Sequence, residues 1–260
     1  MAIPFQFAVL QKKFGALSPE HLKRAFSAFV NLTEIDAVRL AGSARGILLR
    51  QLNRDGARAL QTALEAEGVG VVIVREDELP RLPDGKSLHR VEMVPEAFIV
   101  YDLLGRPNAI DWSRIALVAA GAVGRFGFTK VQTENTDLRF NVMSGVWPKK
   151  TTEIGHKTEW DTTLILEVVL ADGAGRYQIE AAEFPFKYVI DRPELSAPEK
   201  FVWLVREICR HATNAILNDG ARAIYDGEES VLQYNSRQML ADEMVWLLWN
   251  HSEQARTGEK

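Results

Sequence analysis

Residue types that ligate metal ions are scattered through this sequence rather than clustered. The chain has five histidines and a single cysteine, Cys209. Glu207 and His211 are four residues apart, which places both on one face of a helix, where they could begin a metal site or form a surface pair. Because a metal site needs further ligands that converge on the same point, we expect the surface pair and no bound metal.

Motifs for nucleophiles and cofactors are equally sparse. The sequence contains no Gly-x-Ser-x-Gly motif, and Gly42-Ser43 fits a turn after a helix. Cys209 shares an apolar helical stripe with Val202, which predicts a buried structural thiol rather than a nucleophile. The glycines of residues 121–127 lack both the dinucleotide-binding spacing and the phosphate-loop lysine, so we interpret this segment as a twisted or bulged strand end. We therefore nominate no catalytic, cofactor-binding or metal-ligating residue, and we expect no cofactor.

Basic and aromatic residues are interleaved in residues 125–161, a polar segment that lacks a clean period and is longer than an ordinary loop. Such side chains can stack on nucleobases or grip an acidic partner, although Glu134 and Glu153 dilute the positive charge. We interpret the segment as either a functional excursion or a partly disordered loop with a few aromatic side chains on the sheet. The candidate interaction residues are Arg125, Phe126, Trp147, Lys149, Lys150 and Trp160.

Composition and charge exclude several classes of protein. Hydrophobic residues make up 47% of the chain, which excludes wholesale disorder, and a net charge of −4 is too balanced for a protein whose main task is to neutralise phosphates. The longest weakly polar run, residues 115–128, is too short to span a bilayer, and the first residues lack the basic region of a secretory signal. With one cysteine and so no internal disulfide, we expect a cytoplasmic protein without a transmembrane segment.

The first 80 residues alternate between short strands and capped helices. Ser18-Pro19-Glu20 has the residue types of a helix start, and Thr33 and Asn53 can cap two further helices. Apolar runs at residues 46–52 and 69–74 predict buried strands on either side of the third helix. This order predicts a compact unit built from a small sheet and the helices that cover it.

Three segments of this region carry a resemblance to the C-terminal domain of the bacterial ribosomal stalk protein. They are Asp36-Ala-Val-Arg-Leu40, Asn53-Arg-Asp-Gly-Ala-Arg-Ala-Leu60 and Leu64-Glu-Ala-Glu-Gly-Val69. The resemblance covers about the first third of the chain and implies a compact αβ sandwich. Its motifs are mostly core and capping positions, so it implies a fold rather than an activity.

A Pro-rich, charged segment separates this unit from the rest of the chain. Two prolines, a glycine and several charges in residues 77–86 are typical of an exposed connector. Beyond it, apolar runs at residues 88–94, 97–103 and 110–123 predict a meander, and residues 162–170 and 176–184 predict a second hairpin. Apolar stripes predict helices after Pro193 and over residues 237–251, the first of which should end near residues 218–220.

Residues 88–218 resemble the pleckstrin-homology-like barrels of bacterial proteins, on the phrase Ile110-Asp-Trp-Ser-Arg-Ile115 and a closing amphipathic helix. The resemblance implies an antiparallel sheet or partial barrel. The predicted fold class is therefore α+β, a small αβ sandwich followed by such a sheet and C-terminal helices. The predicted domains are 1–80 and 88–260, with a linker at 81–87 and an insertion at 125–161.

The absence of catalytic motifs favours a non-enzymatic interaction or adaptor protein with an unidentified protein partner. A hydrolase or transferase with its site in the cleft between the two domains is the alternative from another class. Recognition of lipid head groups or nucleic acid by the second domain is a third reading. An enzymatic site would require converging ionisable groups in a polar pocket, whereas a partner protein would require an apolar patch.

Overall fold

The computed structural model describes residues 5–15, 17–28, 33–141, 145–228 and 232–258, and for Ser43, Asp172 and residues 125–161 it describes the backbone alone. The contacts between residues divide the chain into two compact units, one of residues 1–123 with 163–260 and the other of Gly124–Thr162. The predicted α+β class is confirmed, and the described strands form open sheets without a closed barrel. None of the described helices combines the length and apolar character that crossing a membrane requires.

Six helices lie in the described part of the chain. The first begins where the sequence predicts it, with Pro19 at its first position, but Ser18 makes no side-chain capping bond. In chain order the helices are α1 (Pro19–Ser27), α2 (Glu34–Ser43), α3 (Arg54–Ala66), α4 (Ala197–His211), α5 (Asp219–Asp226) and α6 (Arg237–Thr257).

Side-chain caps fix the starts of the other five helices. The predicted caps Thr33 and Asn53 are confirmed, because each accepts the backbone N–H three residues on. Ser196, Asn218 and Ser236 make the same bond at the starts of α4, α5 and α6. These local bonds satisfy backbone donors that would otherwise lack partners in the first helical turn.

The predicted end of the helix after Pro193 is wrong. Helix α4 ends at His211, and Ile216, which lies before the predicted end of the helix, belongs to a two-residue strand. The cap formed by Asn218 then starts a separate helix. Apolar spacing at three and four residues continued past the true end, so the pattern alone could not locate it.

Twelve strands form three sheets in the described part of the chain. Strand order in the sheets is β2-β1-β3, then β11-β8-β9-β10-β4 with β12 also beside β8, then β5-β6-β7. The strands are β1 (Phe7–Gln11), β2 (Ile47–Leu52), β3 (Val71–Arg75), β4 (Gly85–Ser87), β5 (Val91–Val94), β6 (Ala97–Tyr101), β7 (Pro107–Asp111), β8 (Ile115–Asn141), β9 (Gly145–Leu170), β10 (Arg176–Glu180), β11 (Ile216–Leu217) and β12 (Gln233–Tyr234).

The first sheet is antiparallel and has helices on both faces. Helices α1 to α3 cover one face, where Phe26 and Leu60 pack in the same core as Val9. Helix α6 covers the other face, where Trp246 packs in the same core as Leu10. Strand β1 is therefore buried on both faces, which explains why its residues read as a continuous apolar run.

The second sheet also has two covered faces. Its β9–β10 hairpin is antiparallel, as the sequence predicts. Strand β4 pairs in parallel with β10, and β11 and β12 each pair in parallel with β8. One face packs against α4 and the third sheet through Leu166, Phe98 and Phe201. The other packs against α6 through Ile165 and Leu240. Helix α6 thus contributes to the cores of both sheets.

The third sheet is an antiparallel meander whose first two strands lie where the sequence predicts them. The predicted third strand at residues 110–123 is wrong, because most of that apolar run belongs to β8 of the second sheet, and the mostly exposed β7 completes the meander instead. Strands β5, β6 and β7 pair in order, and Val100 lies opposite Asn108 on the β6–β7 hairpin. Residues 81–87, predicted as an exposed linker, include strand β4, which is exposed but pairs with β10. The division into domains 1–80 and 88–260 stays a prediction.

In the excursion predicted at residues 125–161, the described backbone of residues 125–141 and 145–161 is strand rather than loop. The strand we expected to end near Val123 continues to Asn141 as β8, and β9 begins at Gly145. Thr129, Thr133 and Thr151 lie in this segment, and threonine favours strands even where hydrophobic residues do not alternate. A strand can therefore form without a strict alternation of apolar and polar residues.

Candidate functional site

The six interaction residues predicted from the sequence belong to β8 and β9. Their side chains lie outside the described residues, so their role in binding a partner stays a prediction. We named them as Arg125, Phe126, Trp147, Lys149, Lys150 and Trp160.

Cys209, Glu207 and His211, which the sequence singled out, make structural contacts. Cys209 is buried on α4, as predicted, and burial raises the pKa of its thiol to about 12, which disfavours the nucleophilic thiolate. Glu207 pairs with Arg210 at 3.1 Å, and His211 stacks on Trp112 with 4.7 Å between ring centroids. Within the described residues, no group of three or more His, Cys, Asp and Glu side chains could hold a metal ion.

Arg45, Asn218, Asp219, Tyr234 and Glu243 form a polar cluster at the start of α5, which we call the Arg45–Glu243 cluster. Arg45 Nε donates to Glu243 Oε2 at 2.6 Å, and its Nη2 donates to Asp219 Oδ2 at 2.7 Å. Tyr234 Oη donates to Glu243 Oε2 at 2.7 Å and accepts from Asn218 Nδ2 at 2.7 Å. A carboxylate, a phenol, a guanidinium and an amide are thus joined in one network.

Burial keeps this network away from a substrate. The exposed fraction is 0% for Glu243 and Asn218 and 1% for Tyr234. Burial, with the Glu243 carboxylate beside it, raises the pKa of Tyr234, so the phenol stays a neutral donor. Burial also raises the pKa of Glu243, and Arg45 opposes that effect. Every buried polar side-chain atom among the described residues has a hydrogen-bond partner, so the cluster joins segments rather than binding a ligand.

Two glycines allow the backbone to approach this cluster. A Cβ on Gly220 would lie 2.0 Å from the carbonyl oxygen of Ala120, and one on Gly121 would lie 2.3 Å from the Tyr234 ring. Gly121 lies inside β8, so the interpretation of its segment as a strand end is wrong. Its missing side chain leaves room for the Tyr234 ring instead.

A short repeat in the sequence could have signalled this site. Residues 217–223 read Leu-Asn-Asp-Gly-Ala-Arg-Ala. Residues 52–59 have the same sequence with one Arg inserted after the Asn. Asn53 and Asn218 cap α3 and α5 in the same way. Only Asn218 also bonds to a neighbouring strand, through the N–H and carbonyl of Ala120 at 2.9 and 3.1 Å.

A recess of about 830 Å³ lies where the first sheet meets α6, close to the cleft predicted for an enzyme. Both of its acids and one of its arginines, Arg50, are already engaged. Glu76 accepts the backbone N–H of Gln51, Asp77 pairs with Arg75, and Arg50 pairs with Asp242 at 2.8 Å. Acids committed to these partners do not form the acid–base pair that hydrolysis or group transfer needs.

A second recess, which we call the β4–β6 groove, opens between the second and third sheets and has a volume of about 750 Å³. Residues 86–90 form one wall, where the chain leaves β4 for β5, and residues 100–108 of the β6–β7 hairpin form the other. Tyr177 of β10, which lies opposite Lys86 in the ladder, closes the end. This volume is in the range of clefts that hold small molecules.

The lining of the groove is apolar at its base and mostly polar at its rim, where Leu103 is an exposed apolar side chain. The buried side chains of Leu88, Val100 and Tyr177 belong to the main core and also line the groove. Lys86 and Arg90 bring positive charge to the rim. This combination of an apolar base and a few convergent polar groups is typical of ligand sites.

Asp102 also lines the groove, but its carboxylate is held by its own turn. Oδ1 accepts the N–H groups of Leu104 and Arg106, each at 2.9 Å, and Oδ2 accepts Arg106 Nε at 2.6 Å. These bonds, with the backbone N–H of Arg106 first, lower the pKa of Asp102. The carboxylate thus shapes the hairpin tip, where Gly105 has a left-handed φ of 74°.

No family model matches this chain, and the curated proteins and solved structures include none that is detectably similar to it. The resemblances to the stalk protein and to pleckstrin-homology-like barrels therefore stay predictions.

Proposed function

We propose that this chain is a non-enzymatic binding protein that recognises a ligand in the β4–β6 groove. The groove itself is the observation that carries the proposal, because its base is apolar and its rim is mostly polar. Its rim also holds Ser87 and His89, but no hydrogen bond joins these two described residues. Asp102, which could orient a histidine in a hydrolytic triad, is bonded to its own turn. The groove is therefore better suited to binding than to hydrolysis.

Neighbouring positions on β7 allow this proposal to be tested without disturbing the core. Asn108 lines the groove and lies opposite Val100, whereas Ala109 lies opposite Ile99 and outside the groove. Both residues are exposed, and successive strand residues point to opposite faces. A tryptophan at position 108 would fill the groove, and the same substitution at 109 would not.

The experiment is a fluorescence titration with N-phenyl-1-naphthylamine, a neutral apolar probe. We expect saturable binding to one site per chain, which Asn108→Trp weakens by about tenfold or more and Ala109→Trp leaves unchanged. Circular dichroism should show that both variants keep the wild-type fold. Absence of saturable binding, or equal effects of the two variants, would rule out the groove as the recognition site.

A further inference from the structure

We infer that the β4–β6 groove selects small acids, molecules in which an apolar body carries one anionic group. This inference rests on the proposed function and adds the class of ligand. It follows from the hydrogen-bond donors at the rim, from the hydrogen bonds that the nearby carboxylates already make, and from the size of the apolar base.

Lys86 is a cation at the rim whose ammonium group can bind a ligand. Its side chain is exposed, and the described residues give it no ion-pair or hydrogen-bond partner. It faces the same side of the sheet as Tyr177, since the two residues are register partners in a parallel pair. Lys86 thus presents an ammonium group with three donors beside the apolar base.

Arg90 is a second cation, and its position is fixed. Its guanidinium carbon lies 4.0 Å from the centroid of the Tyr101 ring and 5.6 Å from that of Tyr188. One nitrogen, Nη2, donates to Glu92 Oε1 at 2.6 Å. A guanidinium has five N–H donors, so Arg90 keeps donors for a ligand while its partners hold it in place.

Carboxylate acceptors at the rim are scarce by comparison. Asp102 has both carboxylate oxygens occupied by Leu104 and Arg106. Glu92, the partner of Arg90, does not line the groove. A cationic ligand would therefore find no uncommitted carboxylate in the lining of the groove, whereas an anion would find donors from Lys86, Arg90 and His89.

The occupant is better explained as a free small molecule than as a peptide or a membrane. Strand β4 is three residues long, too short an edge to bind a peptide mainly through added strand pairing. Anionic lipid surfaces are usually recognised by clusters of about four to eight Lys and Arg residues, whereas the groove contributes Lys86 and Arg90. The buried base formed by Leu88 and Val100 instead suits a compact apolar body.

The experiment compares two probes that share an apolar body and differ in charge. They are 8-anilinonaphthalene-1-sulfonate, which is anionic, and N-phenyl-1-naphthylamine, which is neutral. We expect the full chain to bind the sulfonate about tenfold more tightly than the neutral probe. Addition of 0.5 M NaCl should weaken binding of the sulfonate but not of the neutral probe.

A double variant, Lys86→Gln with Arg90→Gln, should remove this preference and change binding of the neutral probe by less than about twofold. Lys200→Gln, on α4 and outside the groove, is the matched control and should bind both probes as the wild type does. A cooperative thermal transition for each variant should show that none of them has become partly unfolded. Equal affinity of the wild type for both probes, or equal loss of both in the double variant, would refute the anion preference.

Displacement distinguishes the small acid from the other occupants. Free decanoate should displace the sulfonate probe, and decanol should do so less well. Displacement by phosphatidylserine vesicles or by a poly-glutamate peptide, but not by decanoate, would overturn the assignment to a small acid. If the wild type binds the neutral probe but shows no preference for the sulfonate, only the anion preference fails. If it binds neither probe, the proposed function fails as well.

Discussion

Tyr234 donates its hydroxyl to Glu243 at 2.7 Å, and this contact joins strand β12 to helix α6 inside the protein. The same hydroxyl accepts from Asn218, which caps α5 and bonds to β8. Arg45, 198 residues earlier in the chain, donates to the same oxygen of Glu243. The hydrogen-bond network centred on Glu243 therefore joins five separate segments of the chain.

Removing the Tyr234 hydroxyl should destabilise the protein. Tyr234→Phe leaves the ring in place but takes one partner from Asn218 and one from Glu243, both fully buried. We expect the free energy of unfolding to fall by about 1–3 kcal/mol in urea titrations. Tyr225→Phe, at a half-exposed tyrosine, is the control and should change it by less than about 0.5 kcal/mol.

Truncating Glu243 should cost more than truncating the other acidic partner of Arg45. Glu243 is fully buried, whereas the Asp219 side chain is 54% exposed. Glu243→Ala should lower the free energy of unfolding by about 3–5 kcal/mol, because it leaves Arg45 and Tyr234 without their buried acceptor. Asp219→Ala should lower it by about 1 kcal/mol or less. Equal losses in the two variants would contradict the central place of Glu243 in the cluster.

The close approach at Gly220 should make this position intolerant of alanine. A methyl group would meet the backbone of Ala120, which cannot rotate away as a side chain can. We expect Gly220→Ala to lower the free energy of unfolding by about 2–3 kcal/mol or more. Gly15 has open space around the corresponding position, so Gly15→Ala should stay within about 0.5 kcal/mol of the wild type.

Asp102 should give the hairpin tip a stability that depends on pH. Its hydrogen bonds hold its pKa below the ordinary value of 3.8, so the folded chain favours the charged carboxylate. The stabilisation by the charged carboxylate is present above the pKa that Asp102 has in the unfolded chain. It is lost as the pH falls through the pKa that Asp102 has in the folded chain.

We therefore expect the wild type to melt at a higher temperature than Asp102→Asn from about pH 7 to pH 5, and the difference to shrink below about pH 4. Asp111→Asn, at an exposed position on β7, should show no such convergence. A constant difference between the wild type and Asp102→Asn down to pH 2 would mean that the charge of Asp102 does not support the turn.

Cys209 should be chemically quiet in the folded protein. Its thiol is buried and its pKa is raised to about 12, so little thiolate is present near neutral pH. We expect Ellman's reagent at pH 8 to label the folded protein more than about 100-fold more slowly than the protein in 8 M urea. Rapid labelling of the folded chain would revive the hypothesis of a nucleophile.

Local features of the fold could be predicted from the sequence. Thr33 and Asn53 cap their helices as expected, because a cap is made within four residues of chain. The β5–β6 hairpin was also predictable, since two short apolar runs are separated there by a two-residue turn. Strand β7 was not, because four of its five residues are exposed and it lacks an apolar run. The end of α4 was not, because its apolar spacing continues into β11.

The candidate sites depend on contacts that no local pattern encodes. Glu243 reads as one of many helical acids until Arg45 is placed beside it. The β4–β6 groove needs Lys86, Val100 and Tyr177 to meet, which follows from the parallel pairing of β4 with β10 and from the packing of two sheets. Pairing across such distances depends on the whole fold rather than on the residues near each position.

Helix α6 also has a consequence for how this chain reaches its folded state. Trp246 donates to the carbonyl of Gln11 at 2.8 Å across a separation of 235 residues. Contacts between such distant segments slow folding, because a long stretch of chain must be ordered before they can form. Until α6 docks, the face of β1 that carries Ala8 and Leu10 has no cover and can associate with other unfolded chains. Efficient production of this protein therefore depends on keeping its first sheet from aggregating until α6 has docked.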